Sequence, residues 1–139
     1  MINYIRALLI MIKAHKGQRD KGGKPYFTHP LRVARKTKDK RAKIVALLHD
    51  VMEDSDKFTW ADLDFLDQEQ IAALKALTHQ KDLPYFEYIN AIKENPLARQ
   101  VKLSDLADNM NLKRLQKVTD KDLERVEKYK EAQAILKAQ

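Results

Sequence analysis

Ala46-Leu47-Leu48-His49-Asp50-Val51-Met52-Glu53-Asp54 is the stretch that decides how this chain is read. Its apolar residues recur at three- and four-residue spacing, a helical period, yet one histidine and three acids stand among them. A helix predicted over 40–52 puts Val45 and His49 on one stripe and Ala46 and Asp50 on the next. His49 and Asp50 then lie on or beside the buried face, where an unpaired carboxylate is costly. Glu53 and Asp54 follow one turn later, stacked over His49 and Asp50 by the four-residue rule.

The same period extends in both directions. A first helix is predicted over 2–16, with Ile5, Leu8, Leu9 and Ile12 on its buried face. Residues 17–28 form the longest irregular stretch and hold Gly22, Gly23 and Pro25, which marks a functional loop. A second helix opens at His29-Pro30, where proline suits a first turn, and runs to 37. Short helices are expected over 61–66 and 67–77, and another over 84–93. Asn95-Pro96 starts a helix over 97–116, and Thr119 or Asp120 caps a last one ending at 136. No alternating apolar pattern is long enough for a strand, and there is no repeat or low-complexity segment. The expected fold is all-α, one domain over 1–139, a bundle of about six to eight helices.

At 139 residues the chain can bury a core without disulfides, and it contains no cysteine. That composition excludes thiolate zinc sites and a cysteine nucleophile, and it suits a cytoplasmic protein. No apolar run reaches the roughly 18 residues of a membrane span, and the N-terminal stretch does not resemble a signal peptide. The net charge is +7, from 27 Lys and Arg against 20 Asp and Glu, which favours anionic partners. Most of the excess lies over 13–43, while 53–69 is acidic. A basic segment beside an acidic one fits a phosphate-rich ligand bridged to a metal better than a nucleic-acid track.

The late helix repeats the anomaly of the quoted stretch, since Val101, Asp105, Asn109 and Leu112 share a stripe. His29, His49, Asp50 and Asp105 are together enough to hold one divalent metal ion, with open positions left for water and a substrate oxygen. Such a mixed nitrogen and oxygen set suits manganese, iron or zinc. The competing reading is a hydrogen-bonded His49-Asp50 core pair and a buried ion pair at Asp105. Any one cluster alone favours that reading; four together, on these faces, favour the metal. His15 is read as a core histidine, His79 as exposed or capping, and Trp60 as a packing residue.

These residues resemble a known family. Ala14-His15-Lys16-Gly17-Gln18, Gly23-Lys24-Pro25-Tyr26 and His29-Pro30-Leu31 are similar to the opening of the hydrolase domain of RelA/SpoT-type proteins. The quoted stretch resembles that family's central motif, and Val101-Lys102-Leu103-Ser104-Asp105-Leu106-Ala107-Asp108-Asn109-Met110 resembles its third. The resemblance covers almost the whole chain and is closest to the small stand-alone alarmone hydrolases. It implies an HD-domain phosphohydrolase that removes the 3′-pyrophosphate of ppGpp or pppGpp, usually with manganese. By motif, His29, His49, Asp50 and Asp105 are the implied metal ligands, and Glu53 and Asp54 the implied catalytic carboxylates. Asn109, Lys21, Arg125, Tyr129 and, more weakly, Lys81 are the implied substrate contacts. The chain departs from the long members at Asp20-Lys21, where they carry a basic pair, and at Asp108, where they commonly carry histidine. The expected partner is a small nucleotide, with no membrane. Two alternatives stand beside this: a related hydrolase acting on another nucleotide such as NADPH, and a basic helical nucleic-acid-binding or regulatory module.

Overall fold

A computed structural model describes residues 1–138. Among these, eight α-helices follow one another, with no strand: α1 (Ile2–Ala14), α2 (Thr28–Lys36), α3 (Lys40–Leu48), α4 (Val51–Asp54), α5 (Gln68–Leu77), α6 (Tyr85–Lys93), α7 (Pro96–Asn109) and α8 (Asp120–Lys137). Two 3-10 turns, Trp60–Leu63 and Leu112–Arg114, complete the path. None of the helices is long and apolar enough to cross a membrane. The all-α expectation holds, and α7 is the element around which the rest is arranged, packing against α2, α3, α5, α6 and α8.

Local chemistry sets the helix ends. Asp39 accepts the Arg41 and Ala42 amide hydrogens at the start of α3. Asp67 and Gln70 form a reciprocal capping box on α5, and Thr119 and Asp122 form one on α8. Asn95 accepts from Ala98, with Pro96 in the first turn of α7. The core they enclose runs through Val33, Val45, Leu47, Leu48, Leu74, Ile89, Ile92, Val101, Leu106 and Leu136, all fully buried.

Three expectations are corrected. The helix expected over 40–52 stops at Leu48, because the Ala46 carbonyl accepts both the His49 amide (3.4 Å) and the His49 ring Nδ1 (2.6 Å). Glu53 and Asp54 therefore belong to a separate turn, α4, rather than to a continuous stripe above His49 and Asp50. The helix expected over 97–116 ends at Asn109, where the Asp108 carbonyl accepts the Asn111 amide (3.2 Å) and the Arg114 guanidinium (2.8 Å).

The third correction concerns α1. Its buried face is Ala7, Met11 and Ala14, whereas Ile2, Ile5, Leu9 and Ile12 are exposed and Leu8 is half-buried. The helix is apolar on nearly every side, so periodicity alone cannot say which side turns inward. Small alanines let α1 lie close against α3, and the bulky aliphatics are left outside. Met11→Ala should therefore cost about 2–5 kcal/mol, while Leu9→Ser should stay within about 0.5 kcal/mol. Chemical denaturation of the two variants checks this assignment of faces.

Candidate active site

The site is assembled where α2, α3 and α7 meet. His29 sits in the first turn of α2, His49 just past α3, and Asp105 in the body of α7, all buried. Their ligand-type atoms lie within 4.8 Å of one another. His29 Nε2 is 2.9 Å from Asp105 Oδ1, and His49 Nε2 is 3.3 Å from the same oxygen. Asp50, the fourth expected ligand, brings Oδ2 to 3.1 Å from His49 Nε2 and 3.7 Å from His29 Nε2.

Both imidazoles are oriented from behind. The His49 Nδ1 faces the Ala46 carbonyl, which can only accept, so the proton sits on Nδ1 and Nε2 looks inward. His29 Nδ1 faces Asp108 Oδ2 at 2.7 Å while Nε2 faces Asp105 Oδ1 at 2.9 Å, so each ring nitrogen meets a carboxylate. His49 Nε2 is buried and makes no well-directed hydrogen bond, despite two carboxylate oxygens nearby. That unpartnered nitrogen, beside a second imidazole and carboxylate oxygens in one pocket, fits a divalent cation.

The electrostatics agree. Burial works against charge on His29 and His49, but the surrounding carboxylates outweigh it and raise both. Asp105 is likewise penalised by burial, yet the ammonium of Lys102 (2.9 Å from Oδ2) and the imidazoles hold it well below the usual carboxylate range. Asp50 is lowered too, chiefly by His49 acting against burial, and it accepts the Tyr26 hydroxyl at 2.5 Å. Asp54 moves the other way: burial first, then the charges of Asp50 and Glu53, push it up to about 6. Glu53 is raised for the same first reason, and it accepts the His79 amide hydrogen.

A cavity of about 390 Å³ opens from this group. Among its lining residues are His29, Lys21, Asn109, Arg125 and Tyr129, so four of the five expected substrate contacts share one wall system. Arg19 and Arg114 add positive charge to it, while Asp20 and Asp122 pair with Arg114 and Arg125. Asn109 also donates to Asp105 Oδ1 at 3.1 Å. Glu53 and Asp54 lie on a neighbouring open depression with Gln18 and Lys57, and reach the buried group through the field of Asp50. Lys81 is exposed in the turn after α5 and lines neither. His79, expected exposed or capping, is half-buried and stacks on Tyr88 with ring centroids 4.3 Å apart.

Several supporting residues were not anticipated as such. Lys102 stands three residues before Asp105 in α7, a spacing at which the sequence could have shown the pair, while Asp108, three residues after it, meets partners from α2. Gln18 joins His15 Nδ1 (2.9 Å) to the Asp54 carbonyl (2.9 Å), which ties the loop to the α4 turn that carries Glu53 and Asp54. Asp20 is an organiser of the loop: its Oδ1 accepts the Gly22 and Lys24 amides, both at 2.9 Å.

Fold and site together define an all-helical domain with a buried two-histidine and carboxylate group opening onto a cationic cavity. No protein-family model matches the chain. It is 34% identical over 129 residues to the guanosine-3′,5′-bis(diphosphate) 3′-pyrophosphohydrolase MESH1 of Danio rerio, covering 83% of this chain and 71% of that one. It is 34% identical over 119 residues to the Aquifex aeolicus enzyme of the same name, covering 76% of this chain and 17% of that one. The bifunctional (p)ppGpp synthase/hydrolase SpoT of Escherichia coli K12 matches at 38% over 73 residues, 50% of this chain and 10% of that one. The chain thus spans only 10–17% of the length of the long relatives. A solved structure of a metazoan orthologue of SpoT, described as hydrolysing ppGpp and acting in starvation responses, superposes with a TM-score of 0.79 at 23% identity, over 99% of this chain and 87% of that one. The chain belongs to the guanosine-3′,5′-bis(diphosphate) 3′-pyrophosphohydrolase family.

The loop that closes the cavity gives a direct test of this geometry. A Cβ added at Gly22 would sit 2.5 Å from the backbone carbonyl oxygen of Arg114, which cannot swing away as a side chain could. Gly22→Ala should therefore part the loop from the 112–114 turn and cost about 1–3 kcal/mol. Thermal unfolding should show the loss; an unchanged transition would contradict the close approach.

Proposed function

We propose that this chain hydrolyses the 3′-pyrophosphate of guanosine alarmones, ppGpp or pppGpp, giving GDP or GTP and pyrophosphate, with manganese as the metal. The observation that carries the reading is the convergence of two imidazole Nε2 atoms on one Asp105 oxygen at the edge of a cavity lined by Arg19, Lys21, Arg114 and Arg125. Its family membership supports the same substrate.

In this reading His29, His49, Asp50 and Asp105 hold the metal. When bound, such an ion supplies Lewis acidity toward the phosphoryl group and acidifies water. Water attacks the phosphorus attached to the ribose, the bond to the 3′ oxygen breaks, and pyrophosphate leaves. Asp54, pushed up to about 6, is suited to take the proton from that water near neutral pH, since its affinity for a proton lies close to the working pH. Glu53 shares the duty, and its bond to the His79 amide fixes its direction. Lys21 and Arg125 offset phosphate charge, while Asn109 and Tyr129 line the nucleotide's path. Lys81, exposed and outside the cavity lining, is kept as the weaker candidate for a phosphate contact.

Purified protein should release pyrophosphate from ppGpp with manganese and not with chelator, and should leave NADPH intact. His49→Ala and Asp105→Ala should lose bound manganese and activity together. Glu53→Gln and Asp54→Asn should keep the metal while kcat falls by about 10²–10⁴. Metal analysis beside kinetics separates the two groups, and full turnover in both carboxylate variants would refute the assigned roles.

The cation assignment has its own check. Lys21→Ala should raise KM for ppGpp at little cost in kcat, and Lys81→Ala should raise it less. A reversed order would place the phosphates outside the cavity.

A further inference from the structure

Asp108 occupies an unusual position for a buried acid. It is 1% exposed, on the turn of α7 that follows Asp105, and four separate groups donate to its two oxygens. His29 Nδ1 lies 2.7 Å from Oδ2, Arg32 Nε 2.9 Å and Lys36 Nζ 3.0 Å from Oδ1, and Arg114 Nη2 3.3 Å from Oδ2. Arg114 also donates to the Asp108 backbone carbonyl at 2.8 Å. The His29 contact is the shortest of the set.

Two further facts give this arrangement direction. Asp105 and Asp108 grip opposite nitrogens of a single imidazole, the first at Nε2 and the second at Nδ1. Arg114, the fourth donor, lines the cavity and approaches Asp20 of the 17–28 loop at 3.7 Å. Nothing in the ion pairs of Arg32 and Lys36, which only fasten α2 to α7, requires the imidazole to be included.

We propose that Asp108 is a positioning residue that fixes His29 with its proton on Nδ1, so that Nε2 presents its lone pair to the metal, and that joins this ligand to the Arg114 wall of the cavity. The inference rests on the metal reading given above. The reasoning is one of donor and acceptor supply. Both Asp108 oxygens face N–H donors, from His29, Arg32, Lys36 and Arg114, and a carboxyl oxygen carrying a proton could not serve them. Nε2 faces the Asp105 carboxylate at 2.9 Å as well, so it is the closer Asp108 acceptor at 2.7 Å, with a cation on the Nε2 side, that makes Nδ1 the donor. Partners of this kind behind a metal-bound histidine set its tautomer and raise its basicity.

The test uses the full chain and two variants. In Asp108→Ala the Mn²⁺ affinity measured by calorimetry should fall about 10–100-fold, although Asp108 is not itself a ligand. Asp108→Asn keeps an acceptor for the imidazole and should lose less, a partial rescue that a purely structural role would not give. Long-range proton–nitrogen NMR of the metal-free protein, at a pH where His29 is neutral, should show the Nδ1–H tautomer in the wild type and a shift toward Nε2–H in Asp108→Ala. Unchanged tautomer, or Mn²⁺ affinity within twofold of wild type in the Ala variant, overturns the proposal. If Asp108→Ala does not fold, Asp108→Asn decides it, and wild-type affinity there overturns it. Failure of the wild type to bind Mn²⁺ would count against the metal reading instead, and the tautomer measurement then judges Asp108 alone.

Discussion

One carboxylate oxygen, Asp105 Oδ1, is the point on which the architecture turns. It accepts from or faces both imidazoles and the Asn109 amide, while Oδ2 takes the Lys102 ammonium. A charge buried in the middle of the central helix is destabilising unless every lone pair is met. Meeting them requires α2 to deliver His29, the end of α3 to deliver His49, and α7 to carry its own lysine and asparagine at three and four residues from the acid. The helix packing and the chemistry are thus one constraint. The break after Leu48 is part of it, since turning His49 inward engages the carbonyl that would have continued α3.

Around that centre the charges are sorted by environment. Asp50 and Asp105 sit among imidazoles and an ammonium, and stay ionised. Asp54 and Glu53 sit beside other acids with less compensation, and hold protons more readily. Under the proposed function the first kind binds a cation and the second exchanges protons, the division that metal-assisted hydrolysis of a phosphate ester needs.

Much of this was legible in the residues. His49, Asp50 and Asp105 interrupt apolar faces, and an interruption in a strong period is visible without coordinates. The capping signals at Asn95-Pro96 and Thr119 also marked helix starts correctly. The inward face of α1 was not legible, because Ile5, Leu9 and Ile12 outweigh Ala7 and Ala14 in any hydrophobic count, while close helix contact selects the alanines. Asp108 and Asp20 were hidden for another reason. Their partners (Arg32, Lys36, Arg114, and amides of the loop) lie far away in sequence or in turns, so the pairing exists only after folding. The early end of α7 was hidden for the same reason, since Arg114 competes for the carbonyl that a longer helix would use.

The contact of Gly22 against the Arg114 carbonyl, with Asp20 and Asp108 on either side of the Arg114 guanidinium, latches the 17–28 loop to the end of α7. The consequence is preorganisation. A segment rich in glycine and without regular structure would ordinarily have to be frozen at the moment of ligand capture, and that ordering would be subtracted from affinity. Here the freezing is done during folding, so a ligand entering the cavity meets a rim already in shape, whose charge is free to select among anions rather than to assemble the receptor.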